Sequence, residues 1–256
     1  MNEEDVYKLT IQDFKNESYR KYGAVYIHPN ITDLDRPIFR YMQFQHLLQL
    51  LKSKELYIPN RSTFPDKTEH GWKENPKQIF PLSIVEEKEL SKKTYSKWRN
   101  AYSTCISCWT YDTHASKNPI EDENYLMWKA YGFNNICCRI ETTIRELIHS
   151  ISNKTETDIV MSEVNYVKPQ YATGNIQKYI FEKNLYYQYE NEVRICVLTQ
   201  EPYILLSINP LQIIKGITVS PFINNLFCNF LIEKFQVDYP ELSNIIRKSH
   251  VMEYNN

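Results

Sequence analysis

Strand-length and helix-length segments follow one another in this chain without a repeating order, and that irregularity limits the fold more than any other feature. Ile38 to Met42 is an apolar strand with Arg40 in its middle. Phe44 to Lys54 then places Phe44, Leu47, Leu48 and Leu51 at helical spacing, and Glu55 to Pro59 returns to a strand. Further strands are expected at Tyr102 to Trp109, Asn135 to Ile140, Val160 to Val167, Val193 to Leu198, Ile204 to Ile208 and Ile213 to Val219. Helices are expected from Ser83, whose S-x-x-E start reaches Glu86, to Asn100, and from Tyr125 to Tyr131 before Gly132. Others are expected from Thr143, with Glu146 three residues on, to Ile151, at Lys178 to Tyr187, and from Phe222 to Phe235 behind Ser220-Pro221. This order suits an α+β domain, not the regular alternation of a doubly wound sheet. No repeat or linker interrupts it, so residues 36–256 read as one domain. Residues 1–35 read as an amino-terminal extension, with a short helix near Ile11 to Tyr22 and a loop ending at Asp35-Arg36-Pro37.

Composition removes several function classes. Five glycines in 256 residues leave no G-x-x-x-x-G-K-[ST] or G-x-G-x-x-G loop, so any bound phosphate must be held by side chains. Thirty basic against 31 acidic residues give a net charge of −1, which argues against a surface that grips nucleic acid everywhere but leaves room for a local basic groove. The acidic start at Glu3, Glu4 and Asp5 is unlike a secretory signal, and no run of 18 apolar residues occurs, so a cytoplasmic protein without a membrane partner is expected. The six cysteines suit reduced, buried thiols. Cys105 and Cys108 form a C-x-x-C, but on a strand their sulfurs point to opposite faces. Neither that pair nor Cys137 and Cys138 has a histidine at zinc-ligand spacing, and no metal is expected.

The densest chemistry lies in Lys183 to Arg194, K-N-L-Y-Y-Q-Y-E-N-E-V-R. Glu190 and Glu192 are two residues apart where a helix-like segment runs into a strand. An extended backbone aims both carboxylates at one face, and Arg194 joins them. One reading is an edge strand with a solvated, salt-bridged face. Another is a buried ion network in which Arg40 pairs with Glu190 or Glu192, or Lys183 and Arg194 neutralise them, without catalysis.

F-R-Y-M at Phe39 to Met42, F-P-D-x-x-E at Phe64 to Glu69, L-M-W-K-A-Y at Leu126 to Tyr131, V-N-Y at Val164 to Tyr166 and K-x-x-x-Y-x-Y-E-x-E-x-R at Lys183 to Arg194 stand in this order. Together they resemble a large, mostly bacterial family of unknown function with the pattern YRY, F-N-D-P-F-E, M-W-x-x-Y, V-x-Y and K-x-x-x-W-x-Y-E-x-E-x-R. Pro65-Asp66 inverts the family's Asp-Pro, and Tyr187 replaces its Trp. More loosely, a first strand with an internal Arg, a helix of about three turns and a second strand is similar to the start of ADP-ribosyltransferase domains of the arginine-serine-glutamate class. That resemblance implies a mixed, mostly antiparallel split sheet with flanking helices and NAD as the bound dinucleotide. It also implies a protein or nucleic-acid acceptor, and a toxin or antiphage effector that has an antitoxin or defence-system partner. It puts Arg40 on the phosphates, Ser103 and Ser107 on the supporting strand, and the catalytic carboxylate in Glu190-Asn191-Glu192.

Chemistry assigns roles within that frame. Breaking the nicotinamide–ribose bond develops positive charge on the sugar, and a fixed carboxylate there stabilises the transition state. Glu192 is the choice for it, with Glu190 positioning or deprotonating the acceptor. Arg40 offers a guanidinium fork to the pyrophosphate, with Arg61 in reserve. Tyr41, Trp128 and Tyr131 offer faces for stacking a base, although the helix carrying the last two also reads as core. Two alternatives stay open: a metal-dependent nuclease with Asp66, Glu69, Glu190 and Glu192 as ligands and Lys183 facing phosphate, and a non-catalytic module binding a nucleotide or partner.

Overall fold

In the computed structural model the described residues are 19–64, 104–111, 123–132, 136–151, 155–168, 180–199 and 201–251. Their largest element is a nine-stranded sheet in the order β1-β2-β7-β10-β5-β3-β6-β12-β13. These are β1 (Arg20–Tyr22), β2 (Val25–Ile27), β3 (Pro37–Gln43), β5 (Cys105–Thr110), β6 (Cys137–Thr143), β7 (Ile159–Glu163), β10 (Glu192–Val197), β12 (Gly216–Val219) and β13 (Ile246–Lys248). Pairing is antiparallel except for β2 with β7 and β12 with β13. β4 (Glu55–Pro59) and β11 (Tyr203–Ser207) form a separate antiparallel ribbon, and β8 (Asn165–Val167) lies parallel to β9 (Glu182–Asn184). The α+β character expected from the segment order is present, and the pairing is mostly antiparallel. Residues 20–27 belong to the main sheet, and 20–22 are strand where a helix end was expected.

Helix α1 (Phe44–Ser53) follows β3 directly and buries Phe44, Leu47, Leu50 and Leu51 against the sheet. It stops at Lys54, whose φ of 58° turns the chain into β4 and returns its N–H to the Leu50 carbonyl. The main core forms on this side, with Ile38, Leu47, Ile58, Trp109, Ile140 and Ile195 among its members. On the other face, α2 (Tyr125–Gly132) covers a smaller cluster of Tyr41, Met127, Trp128 and Cys137. Asn124 caps α2, accepting from Leu126 N–H at 3.0 Å. The Thr143 start signal for α3 (Ile144–Ile151) holds, since Thr143 Oγ1 accepts from Glu146 N–H at 3.2 Å.

Three segments depart from the sequence reading. The expected strand at Ile213 to Val219 is shortened by α4 (Pro210–Ile213), which Asn209-Pro210 starts. α5 (Asn225–Asp238) begins beyond Pro221, because Asn224 accepts from Leu226 N–H and caps it there. Among the described residues of the helix expected at Lys178 to Tyr187, Ile180 and Phe181 are α-helical and are followed by β9 and a 3-10 segment, Leu185–Glu190. The helix expected at Ser83 to Asn100 and most of the loop from Tyr111 to Glu123 lie outside the described residues. No described helix is long and apolar enough to cross a membrane.

One junction in the sheet is open. β3 and β5 are paired only at Phe39 with Thr110, whereas β3 pairs with β6 along its whole length. Beyond that single pair, Asn60 at the end of β4 bridges to Cys105 at the start of β5. The two strands therefore diverge, and a gap opens between them.

Candidate functional site

A cavity of about 330 Å³ occupies that gap. Phe39, Arg40 and Tyr41 form its β3 wall, and Ile106, Cys108 and Thr110 its β5 wall. Tyr131 closes it from α2, and Glu190, Glu192 and Lys183 close the remaining side. Cys108 and Thr110 reach this wall because β5 alternates, which sends Cys105 and Ser107 the other way. The expected separation of Cys105 from Cys108 is thus observed. No group of three or more metal-ligating side chains occurs among the described residues.

Glu190 and Glu192 converge, but not by strand alternation. Glu190 ends the 3-10 segment, Asn191 follows with φ 42° and ψ 57°, and only Glu192 is in β10. The left-handed turn is tied by Asn191 Nδ2, which donates to the Tyr111 carbonyl at 3.0 Å, and by Tyr111 N–H, which donates to the Asn191 carbonyl at 2.9 Å. Glu192 N–H donates to Tyr166 Oη at 2.8 Å. Both carboxylates thereby meet one ammonium: Lys183 Nζ lies 2.8 Å from Glu190 Oε2 and 3.2 Å from Glu192 Oε2. Arg194 holds the second acid with a fork, Nε to Oε1 at 2.8 Å and Nη2 to Oε2 at 3.2 Å, and anchors itself on the Ile180 carbonyl at 2.6 Å. All four side chains are buried, so the solvated edge-strand reading fails; β10 is a fully buried central strand.

Burial alone would raise the Glu192 carboxyl, but Arg194 and then Lys183 outweigh it and hold the group down at about 2. The Cys108 thiol also donates to it. Four donors thus surround a carboxylate that offers about four lone-pair sites. Burial, and then the charge of Glu190, push the Tyr131 hydroxyl well above its usual range, so it faces the acids as a neutral donor.

Arg40 stands apart from this network. It is half-buried, and it makes no hydrogen bond or ion pair to a described residue. Its guanidinium carbon lies 5.9 Å from the Trp109 ring centre. Burial lowers its pKa, and its electrostatic neighbours in the cavity wall are the neutral Cys108 thiol and Tyr131 hydroxyl. The expected pairing of Arg40 with Glu190 or Glu192 does not occur, because Lys183 and Arg194 already take both acids. Among the described residues at this site, three cations thus stand against two carboxylates, and Arg40 is the cation without an ion pair.

The remaining expected residues divide. Tyr41 and Tyr131 line the cavity, their rings 6.5 Å apart. Trp128 does not: it is fully buried, edge-on to Tyr41 at 4.8 Å, and donates to Glu123 Oε2 at 3.0 Å, which makes it core. Ser107 is buried on the far face of β5, where it accepts from Trp109 Nε1 at 3.1 Å. Arg61 is buried in a short 3-10 turn, Arg61–Thr63, and acts on the Cys196 thiol outside the cavity. Ser103, Asp66 and Glu69 lie outside the described residues. Sequence reasoning missed Cys108, which the C-x-x-C argument treated only as a failed metal pair. It gave Lys183 a neutralising role or, in the nuclease alternative, a place facing phosphate, and not the bridge between the two acids. Comparison with protein-family models and with curated proteins finds no match.

Proposed function

We propose that the cavity between β3 and β5 binds NAD, and that the protein is an NAD-dependent ADP-ribosyltransferase acting on a protein or nucleic-acid acceptor. The observation that carries this reading is the charge balance: a half-buried guanidinium with no ion pair among the described residues, across one cavity from two carboxylates held by Lys183 and Arg194. A half-buried cation without a counter-ion among the described residues is stabilised by an anion with oxygens to match its fork, which a diphosphate supplies. The gap in an otherwise continuous sheet supports an ADP-ribosyltransferase-like split sheet as the fold.

In this scheme the glycosidic C–N bond breaks with its electron pair leaving on the nicotinamide nitrogen. Glu192, immobilised by Arg194, offsets the positive charge that develops on the ribose. A ribose hydroxyl reaches Glu192 by displacing the weakest of its four donors, the Cys108 thiol. Glu190, on the shared ammonium, takes the proton of the attacking acceptor. The test is release of nicotinamide from NAD by the purified chain with cell lysate. Glu192→Gln should lower it about 10²- to 10³-fold, with the fold checked by circular dichroism. Arg40→Ala, which leaves the ion network untouched, should also lower it. No nicotinamide and no labelled macromolecule from the wild-type chain with any lysate would defeat the proposal.

A non-catalytic nucleotide-binding module is the second reading, favoured by the full complement of donors on Glu192. NAD or ADP-ribose binding without turnover would select it. The nuclease reading fares worse. Lys183 and Arg194 lie within 3.2 Å of the carboxylate oxygens, and two such cations repel a divalent ion.

A further inference from the structure

A second hollow, of about 400 Å³, lies between α1 and β4. Met42 lines it, whereas Phe39 and Tyr41 line the first cavity, and strand alternation sends those two parities to opposite faces of β3. Arg40 lines both hollows. It shares the parity of Met42 and lies over Trp109 of the main core, yet its polar neighbours, Cys108 and Tyr131, line the first cavity. Its side chain therefore spans the gap in the sheet, beyond the single Phe39–Thr110 pair.

The walls of the second hollow have the chemistry of a nucleoside site. From α1, His46, Gln49 and Ser53 recur at helical spacing as one stripe. Opposite them, β4 presents Glu55 and Tyr57, two residues apart on one strand face. Tyr57 is 49% exposed, so a planar base has access to its ring. Glu55 is an acceptor for a ribose diol, and the Gln49 amide offers both a donor and an acceptor to a base edge. Each hollow is near the lower end of the roughly 300–1,000 Å³ range of small-molecule pockets, so each suits one nucleoside and neither suits a dinucleotide alone.

We infer that the second hollow is the other lobe of the same site. It takes the adenosine end of a dinucleotide whose diphosphate rests on Arg40 and whose nicotinamide riboside end meets Glu190 and Glu192. This rests on the NAD reading above and adds residues that set specificity, Gln49, Glu55 and Tyr57, which no motif in the sequence marks.

The experiment is titration calorimetry on the full chain with NAD, ADP and nicotinamide mononucleotide. Gln49→Ala and Tyr57→Ala alter exposed side chains, and circular dichroism checks that both variants fold. Each should weaken ADP and NAD about tenfold and leave nicotinamide mononucleotide within about twofold, whereas Arg40→Ala should weaken all three. If ADP binds both Gln49→Ala and Tyr57→Ala as it binds the wild type, or if nicotinamide mononucleotide weakens as much as ADP, the second lobe is overturned and the first cavity stands. If none of the three ligands binds the wild-type chain at millimolar concentration, the NAD reading falls and this inference with it.

Discussion

Replacing Lys183 with methionine removes the cation that Glu190 and Glu192 share, and the geometry fixes both the size and the pH dependence of the result. Lys183 is 3% exposed and lies 2.8 and 3.2 Å from the two carboxylates, so its loss leaves a buried network of two acids and Arg194 with one negative charge in excess. Breaking such a buried pair costs about 3–5 kcal/mol, against a total stability of about 5–15 kcal/mol. The direction of the Glu192 shift agrees: Arg194 and then Lys183 hold its carboxyl below the usual range against the effect of burial. In the wild type this stabilisation is present above the unfolded carboxylate pKa and is lost as the pH falls toward the folded one. In Lys183→Met the excess charge raises a carboxyl of the pair above its unfolded value, so the penalty is greatest at neutral pH and shrinks as that group takes up a proton. Urea unfolding at neutral pH and at about pH 5 reads both effects. A deficit under about 1 kcal/mol, or one that grows on acidification, would refute the network as the element that holds the acids in place.

Two further outcomes follow from neighbouring residues. Asn191 holds φ 42° and bonds the Tyr111 carbonyl. Asn191→Val should therefore cost about 2–3 kcal/mol through backbone strain and the lost bond, and Asn191→Gly about 1 kcal/mol; equal losses in thermal unfolding would remove the left-handed turn from the explanation. Cys108 is half-buried in the cavity wall while the other five cysteines are buried, so a thiol reagent on the native chain should label Cys108 first, and saturating ADP-ribose should slow it. Mass spectrometry that finds another cysteine labelled first, or no protection, contradicts the placement of the ligand.

The sequence was most legible where local signals and tertiary packing agree. The apolar spacing of Phe44, Leu47, Leu48 and Leu51 gave α1 closely, although Leu48 is exposed and Leu50 buried in its place, and Thr143 with Glu146 gave the start of α3, because the stripe and the cap each act within a few residues. The segment before the acids read as helix, yet Lys183 sits in β9, whose pairing with β8 is a tertiary contact that periodicity does not record. Glu190 and Glu192 were brought together on the wrong ground: alternation was assumed, and the positive φ of Asn191 does it instead, a conformation that Asn tolerates but does not announce. Arg40 lies on the expected strand, but that it makes no ion pair among the described residues depends on which cations reach the acids in space, here Lys183 and Arg194. Trp128 and Ser107 left the site for the same reason, since which face each takes follows from packing under α2 and across β5.

Arg40 bears the most direct test, a calorimetric titration of NAD into the wild-type chain and into Arg40→Met, with urea unfolding of both. Arg40 is half-buried and makes no ion pair to a described residue, so the proposed site predicts that it contributes to binding rather than to stability. Methionine there should leave stability unchanged or raise it by about 1 kcal/mol while weakening NAD at least about tenfold. A variant that binds NAD as tightly as the wild type, or that unfolds about 2 kcal/mol more easily because Arg40 is structural, would contradict the dinucleotide site.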